Sequence, residues 1–343
     1  MVKVSSYKND ILQVFNEDLP WDKLSGSNIL VTGATGLIGS TLIDVLMSNP
    51  RHDYFVFASG RNLIRARKRF DQYFSSDFFH FVTYDVMLPI ESDIHFDYII
   101  HAASNASPGS FSSNPVEVMK ANFGGVSNLI EYGLKHGMRR FLYVSSGEVY
   151  GEGDGRIFTE EYSGYVDSIN PRSCYPSSKR ASETLCVSYL KEYGADVVIV
   201  RPCHIFGPNF TDDDNRVYAQ FIKNVLKGED IVMKSAGEQF RSWCYVVDCV
   251  SAILYVLLKG VSGEAYNIAD PTSVYTIRQL AEMMANIGKT KVVLEIPSET
   301  EKSGYNLVSK SVFSVEKLEK LGWKVSGRMQ DKMRNTVNHL LEV

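Results

Sequence analysis

Apolar positions along the chain fall into short runs and helical spacings that alternate. Asn28–Thr32 is a short apolar run, a glycine-rich turn follows it, and Gly36–Met47 carries a helical pattern. Tyr54–Ala58 predicts a second strand and Arg61–Phe74 a second helix, with strands expected at Phe79–Tyr84 and Asp97–His101. A long helix expected over Pro115–His136 leads to a strand at Phe141–Ser145, a helix at Tyr175–Tyr193 and a β-branched strand at Asp196–Arg201. This alternation predicts an α/β architecture, a doubly wound parallel sheet with helices on both faces. Residues 5–18 predict a short amphipathic helix, with Ile11, Leu12 and Phe15 near one face, set apart by Pro20 and Gly26. After residue 202 the segments shorten and Gly207-Pro208 and Gly260–Gly263 punctuate them. The expected organisation is an N-terminal helical extension over 1–26, a large domain over 27–202, and a smaller α/β lobe over 203–343 that partly interleaves with the first.

Composition narrows the class. Of 343 residues, 44% are hydrophobic and 22% charged, the balance of an ordinary globular protein with a sizeable core. A net charge of −4 offers no footprint for nucleic acid, and the basic run Arg65–Arg69 reads as a solvated helix face. The five cysteines, Cys174, Cys186, Cys203, Cys244 and Cys249, are odd in number and lack C-x-x-C spacing, so reduced thiols are expected. Met1–Asn9 is polar, which predicts no signal peptide, and the apolar stretch Val246–Leu258 contains Asp248 and is too short for a bilayer. These features together lead to an expected cytoplasmic enzyme with no membrane or nucleic-acid partner.

The turn after the first strand reads Gly33-Ala34-Thr35-Gly36-Leu37-Ile38-Gly39, a G-x-x-G-x-x-G between strand and helix. Glycines there permit a tight turn and close approach of a pyrophosphate, and the free N–H groups of the helix start favour its charge. This is the signature of a Rossmann-type dinucleotide site. The second strand ends without the carboxylate that commonly bonds the ribose hydroxyls of NAD. Ser59 and Arg61 stand there instead and suit a 2′-phosphate, which favours NADP over NAD. Asp85, after the third strand, is a candidate for the adenine amino group.

Tyr175-Pro176-Ser177-Ser178-Lys179 is Y-x-x-x-K. Pro176 suits a first helical turn, and the spacing of four sets both side chains on one face. An ammonium there is expected to favour the tyrosinate and make Tyr175 a proton acceptor or donor. Upstream, Ser145-Ser146-Gly147-Glu148-Val149-Tyr150-Gly151 leaves a strand at the carboxyl edge of the sheet, where α/β proteins bind ligands. A serine hydroxyl there can bond a reacting oxygen.

With these segments in view, the chain resembles the extended branch of the short-chain dehydrogenase/reductase superfamily, the nucleotide-sugar epimerase, dehydratase and decarboxylase group. The likeness covers roughly residues 27–325. Its marks are the glycine loop, His101-Ala102-Ala103-Ser104, the Ser146 segment, Tyr175 with Lys179, Arg201-Pro202, Gly207-Pro208, Arg241 before Asp248, and Leu321-Gly322-Trp323. The resemblance implies a tightly bound NAD or NADP and a nucleoside-diphosphate sugar as substrate. It also implies a catalytic set of Ser146, Tyr175 and Lys179, with Glu148 where dehydratases and UDP-glucuronate decarboxylases place a functional glutamate. By the same likeness Val86, Ala102, Ala103, Ser104, Asn122 and Pro202 would join the glycine loop around the cofactor. Ser104, Ser146, His204, Asn209, Arg216 and Arg241 would touch substrate, Arg241 at the diphosphate. A homodimer built from the helices at about 115–136 and 175–193 is implied too, through Leu129, Ile130, Leu134, Leu185, Val187 and Leu190.

The reaction stays open on the sequence. Segment 171–186 is similar to the decarboxylases. Gly147, however, stands where dehydratases carry aspartate and decarboxylases serine, and 302–310 lacks the arginine that decarboxylases use for the carboxylate. His204 stands where many relatives carry asparagine. Epimerisation, dehydration, decarboxylation and reduction of a ketosugar or small carbonyl compound all remain. The run Asp212–Asp214 is expected to be a solvated loop rather than a metal site, His101 to pack near the cofactor, and Met283 and Met284 to be helix core.

Overall fold

A computed structural model describes residues 6–212, 214–295 and 310–342. Its centre is a seven-stranded parallel sheet in the order β10-β6-β5-β4-β1-β2-β3. The strands are β1 (Asn28–Thr32), β2 (Phe55–Gly60), β3 (Phe79–Thr83), β4 (Tyr98–His101), β5 (Arg140–Val144), β6 (Val197–Pro202) and β10 (Ala265–Ile268). The order reverses between β1 and β4, and such a switch point opens a crevice at the carboxyl ends of the strands. Within β1, Ile29 and Val31 join one core and Leu30 the other, so the period-two alternation feeds two apolar layers. Burial on both faces explains why these strands read as near-continuous apolar runs.

One layer holds α1 (Ser6–Gln13), α2 (Leu37–Ser48) and α8 (Val246–Lys259). The other holds α5 (Pro115–Lys135) and α6 (Cys174–Tyr193), which pack on each other. α3 (Leu63–Phe70) and α4 (Pro108–Ser113) are short. Past β6 the chain forms β7 (His204–Phe206), α7 (Val217–Lys227), β8 (Ile231–Met233) and β9 (Phe240–Tyr245), then returns through α8 to add β10 to the large sheet. β11 (Val274–Thr276), α9 (Ile277–Gly288), β12 (Val292–Leu294) and β13 (Lys310–Ser311) complete the smaller lobe, where β9 is flanked by β11, β13 and β7. Met284 is fully buried on α9 and Met283 packs against the same core.

The helix residues expected at a dimer contact need correction. Leu129 and Ile130 are fully buried in the chain's own core, and Leu134, Leu185 and Leu190 pack against it. Each fully buried side chain of this kind contributes about 1.5–3 kcal/mol to folding itself. The large apolar side chains that α5 and α6 leave open are Val116, Met119, Phe123, Val187 and Tyr193. The reason is that both helices present one stripe to the sheet and a second to each other, so the third, outer stripe begins elsewhere. Among the described residues, no helix is long and apolar enough to cross a membrane.

Candidate active site

The glycine loop lies at the switch point, and each glycine has its own geometric reason. Gly33 has φ +69°, and a Cβ there would stand 2.6 Å from the Ala102 carbonyl oxygen. Gly36 caps α2 with no side-chain acceptor, so the first-turn N–H groups receive no capping bond from it. A Cβ on Gly39 would collide with the Gly33 carbonyl. The result is a cradle of bare backbone beside Thr35, of the shape a pyrophosphate fits. Ala103, just past β4, donates its N–H to Thr32 Oγ1 at 3.4 Å. Ser104 Oγ donates to Asn122 Oδ1 at 2.8 Å, and buried Asn122 passes on to Ser178 Oγ at 3.0 Å. His101 is buried, with Nδ1 2.7 Å from Thr32 Oγ1 and Nε2 unpartnered among the described residues; burial pushes its pKa down to about 3.

At the end of β2 the Ser59 hydroxyl is buried without a partner among the described residues. Arg61 is largely exposed and reaches Asp85 only at 3.9 Å. Asp85 lies two residues past β3 and caps the Met87 N–H at 3.0 Å. Val86 accepts from Asn128 Nδ2 at 2.9 Å through its carbonyl. Pro202 closes β6, with its carbonyl turned toward Gly147. An orphaned hydroxyl, an open guanidinium and a glycine cradle along one sheet edge fit a dinucleotide.

β5 delivers the next group. Beyond it Ser146 begins a 3₁₀ turn (Gly147–Tyr150), and its Oγ accepts the Glu148 N–H at 3.2 Å. Opposite stands Tyr175 in the first turn of α6, buried, its ring stacked on Phe111 at 4.5 Å. Burial pushes the Tyr175 phenol up to about 12, opposed by the Ser146 hydroxyl facing it. Lys179, one turn on, is fully buried; its Nζ donates to the Val144 carbonyl at 2.9 Å and lies 5.7 Å from the Tyr175 ring centroid. Burial pushes it down to about 7. The shared helix face is as the spacing predicts, yet the expectation that Lys179 favours the tyrosinate is not met by the protein alone. Desolvation governs both groups, and the ammonium is turned to a backbone carbonyl.

Glu148 is half-buried at the cleft and pairs with Arg172 at 3.4 Å. Arg172 sits on a 3₁₀ turn (Pro171–Ser173) capped by the Asn170 side chain, and its guanidinium lies 4.7 Å over Phe111. Arg241, on β9, is buried, and no carboxylate among the described residues lies within ion-pair distance. Burial pulls its pKa down, with the Glu148 charge opposing. Arg216 is held by Asp214 and by the Tyr218 hydroxyl at 3.0 Å, and its charge reaches Tyr175. His204 is exposed to the cleft beside Trp243, and desolvation by its neighbours and then the Arg241 charge lower its pKa.

One expectation changes here. Asp214 is no solvated loop residue: its buried carboxylate orients Arg216, while Asp213 lies outside the described residues. Asn209 Nδ2 donates to the Tyr7 hydroxyl at 2.5 Å and to Thr41 Oγ1 at 3.0 Å. Sequence reasoning missed Phe111, Arg172 and Tyr7. Only Arg172 lay in a segment with a signal, the stretch similar to the decarboxylases. The 302–310 segment lies outside the described residues. Among those described, no three His, Cys, Asp or Glu side chains converge as metal ligands.

Comparison with known proteins agrees with this geometry. Residues 29–269 match the NAD dependent epimerase/dehydratase family. UDP-glucuronic acid decarboxylase 1 of Xenopus tropicalis is 30% identical over 91% of this chain and 71% of its own length. UDP-glucuronic acid decarboxylase 6 of Arabidopsis thaliana is 34% identical over 80% of this chain and 78% of its own. Among solved structures, UDP-glucose 4-epimerase of Thermotoga maritima superposes with a TM-score of 0.78 at 24% identity, covering 92% of this chain and 99% of that one. A dTDP-glucose 4,6-dehydratase of Streptomyces venezuelae, solved with NAD, gives 0.78 at 23% identity over 92% and 97%. The chain therefore belongs to the NAD-dependent epimerase/dehydratase family of enzymes.

Proposed function

We propose that this enzyme modifies a nucleoside-diphosphate sugar by oxidising it transiently to a ketosugar, the first substrate to test being UDP-glucuronic acid. The observation that carries this is the meeting of Ser146, Tyr175 and Glu148 in one cleft whose wall holds Arg241, buried and with no carboxylate partner among the described residues. Such an arginine suits a diphosphate, which takes charge-assisted bonds in a fork. The uridine and the glucuronic acid come from the names of the curated relatives.

In this reading Ser146 holds the reacting sugar oxygen and Tyr175 exchanges its proton. A dinucleotide held in the glycine cradle would supply hydride acceptance and return beside Tyr175, whose phenol burial holds near 12. Lys179, one turn along α6 from Tyr175, would hold the nicotinamide ribose, and Glu148 moves a proton at the carbon next to the ketone, with Arg172 keeping its carboxylate in place. Arg241 anchors the diphosphate, and Arg216 and neutral His204 line the sugar. For the cofactor we favour NADP, because Arg61 is largely exposed and the Ser59 hydroxyl has no partner among the described residues where a carboxylate would select NAD. The assembly is a homodimer through the outer stripe of α5 and α6, where Met119 and Phe123 line an open apolar pocket with Met87.

Dehydration is the least favoured outcome. A Cβ at residue 147 would strike the Phe313 ring, so no side chain stands between Ser146 and Glu148 to protonate a leaving hydroxyl. The test is a panel of UDP-, dTDP-, CDP- and GDP-sugars with wild type and Glu148→Gln. Wild type should convert UDP-glucuronic acid, and Glu148→Gln should still exchange hydride with substrate but stall before product. Conversion of none of the panel, or normal turnover by Glu148→Gln, overturns the assignment.

A further inference from the structure

The helix that precedes the first strand lies across the seam between the cofactor and substrate sides. Tyr7, on α1, is buried, and its hydroxyl is shared by three partners. It donates to Asp44 Oδ2 at 2.7 Å, has Thr41 Oγ1 3.3 Å away, and accepts Nδ2–H of Asn209 at 2.5 Å. Thr41 and Asp44 belong to α2, the helix that opens on the glycine cradle; Asp44 is buried and further held by Arg69 and the Tyr73 hydroxyl. Asn209 belongs to the loop that joins His204 on β7 to Arg216 before α7. One turn further along α1, Asp10 accepts the Tyr245 hydroxyl at 2.9 Å, and Tyr245 ends β9, the strand that carries Arg241.

A single buried phenol thus ties the cofactor helix to the middle of the loop whose two ends reach the cleft. Both ends are also pinned. His204 is in register with Trp243 of β9, and Arg216 is locked by Asp214. The span between them has Gly207 packed too tightly against Val246 for a side chain, then Asn209 on Tyr7. Without the Tyr7 hydroxyl, Asn209 keeps only Thr41 at 3.0 Å, and the loop loses one of its anchors to α2.

We propose that α1 is a brace for the substrate side of the site, with Tyr7 a positioning residue that acts through Asn209 on the loop presenting His204 and Arg216. The brace itself stands on the contacts above; its effect on substrate rests on the nucleoside-diphosphate reading of the site. Removing the Tyr7 hydroxyl should loosen that loop and weaken substrate, while the glycine cradle and dinucleotide affinity stay as they are.

Tyr7→Phe keeps the ring and its packing on His339, so the fold is retained. In full-length protein loaded with NADP, amide hydrogen exchange should speed up roughly three- to tenfold over 207–212, the worth of one buried hydrogen bond, and stay unchanged over 37–48. UDP affinity, measured by calorimetry, should fall by a similar factor in Tyr7→Phe and in Asn209→Ala. The double variant should be no weaker than the weaker single one, because both act through one contact. NADP affinity should stay within about twofold, well short of the effect of one hydrogen bond. Unchanged exchange over 207–212 overturns the brace. Additive losses in the double variant, or equal losses of UDP and NADP affinity, overturn the positioning role. If wild type itself does not bind UDP, the nucleotide reading fails, and the exchange measurement still decides the brace.

Discussion

Replacing Lys179 by methionine should make the protein more stable while abolishing its proposed activity. The lysine is fully buried, and burial lowers its pKa from 10.5 to about 7. Each tenfold change in proton affinity is worth about 1.4 kcal/mol, so below pH 7 the folded state carries a charge-burial cost with an upper bound of roughly 5 kcal/mol. The sign follows from proton counts. Between pH 7 and 10.5 the unfolded chain holds the proton and the folded one does not, so wild-type stability rises with pH across that window. Methionine removes the charge and fills a similar volume, but strands the Val144 carbonyl that the ammonium serves at 2.9 Å, which costs about 1–3 kcal/mol. The net gain is then roughly 2–3 kcal/mol at pH 6, or roughly 3–4 °C for a chain of this length. At pH 9 it should fall to about zero, since most of the wild-type cost has gone. Thermal unfolding of dinucleotide-free wild type and Lys179→Met at pH 6, 7.5 and 9 reads this directly. A lower melting temperature for the variant at pH 6, or a difference that does not change with pH, would refute the reasoning.

Other substitutions probe separate parts of the site. Tyr175→Phe should lower turnover roughly a hundredfold or more, the range of general acid–base catalysis, with dinucleotide binding intact by calorimetry. Arg241→Gln should weaken the nucleoside diphosphate about ten- to a hundredfold, the scale of a lost bond to a charged group, and titration with UDP checks it. Arg61→Ala should narrow any preference for NADP, compared by fluorescence titration of both reduced cofactors; equal or tighter binding of NADH by wild type removes the NADP assignment. Phe123→Asp should shift the protein to monomer by light scattering at micromolar concentration, and a monomeric wild type rules out the dimer.

The large sheet was legible because its signals are local. Strands buried on both faces must be apolar throughout, so β1, β2 and β6 announce themselves, and G-x-x-G-x-x-G needs only its flanking strand and helix to be interpreted. Tyr175 and Lys179 share a face because a helix repeats every 3.6 residues, and no tertiary contact is needed to say so. What those side chains experience was another matter. Whether the ammonium faces the phenol or a backbone carbonyl depends on how α6 sits on β5, and desolvation depends on everything packed around it.

The same division holds across the molecule. The sequence by itself determined the βαβ order, the glycine cradle, the spacing of Ser146 and Glu148 and the identity of the arginines. Only the tertiary structure decided that Arg241 is buried with no carboxylate beside it among the described residues, that Asp214 orients Arg216, and that Asn209 turns to Tyr7, about two hundred positions away in the chain. It also decided that Leu129 and Ile130 belong to the chain's own core, while Met119 and Phe123 face outward. A helical pattern says which positions are apolar, but which apolar stripe meets the sheet, the neighbouring helix or water is set by long-range packing. Contacts between residues distant in sequence carry no periodic mark, and for that reason the electrostatics of this cleft could be read only once the chain had folded around it.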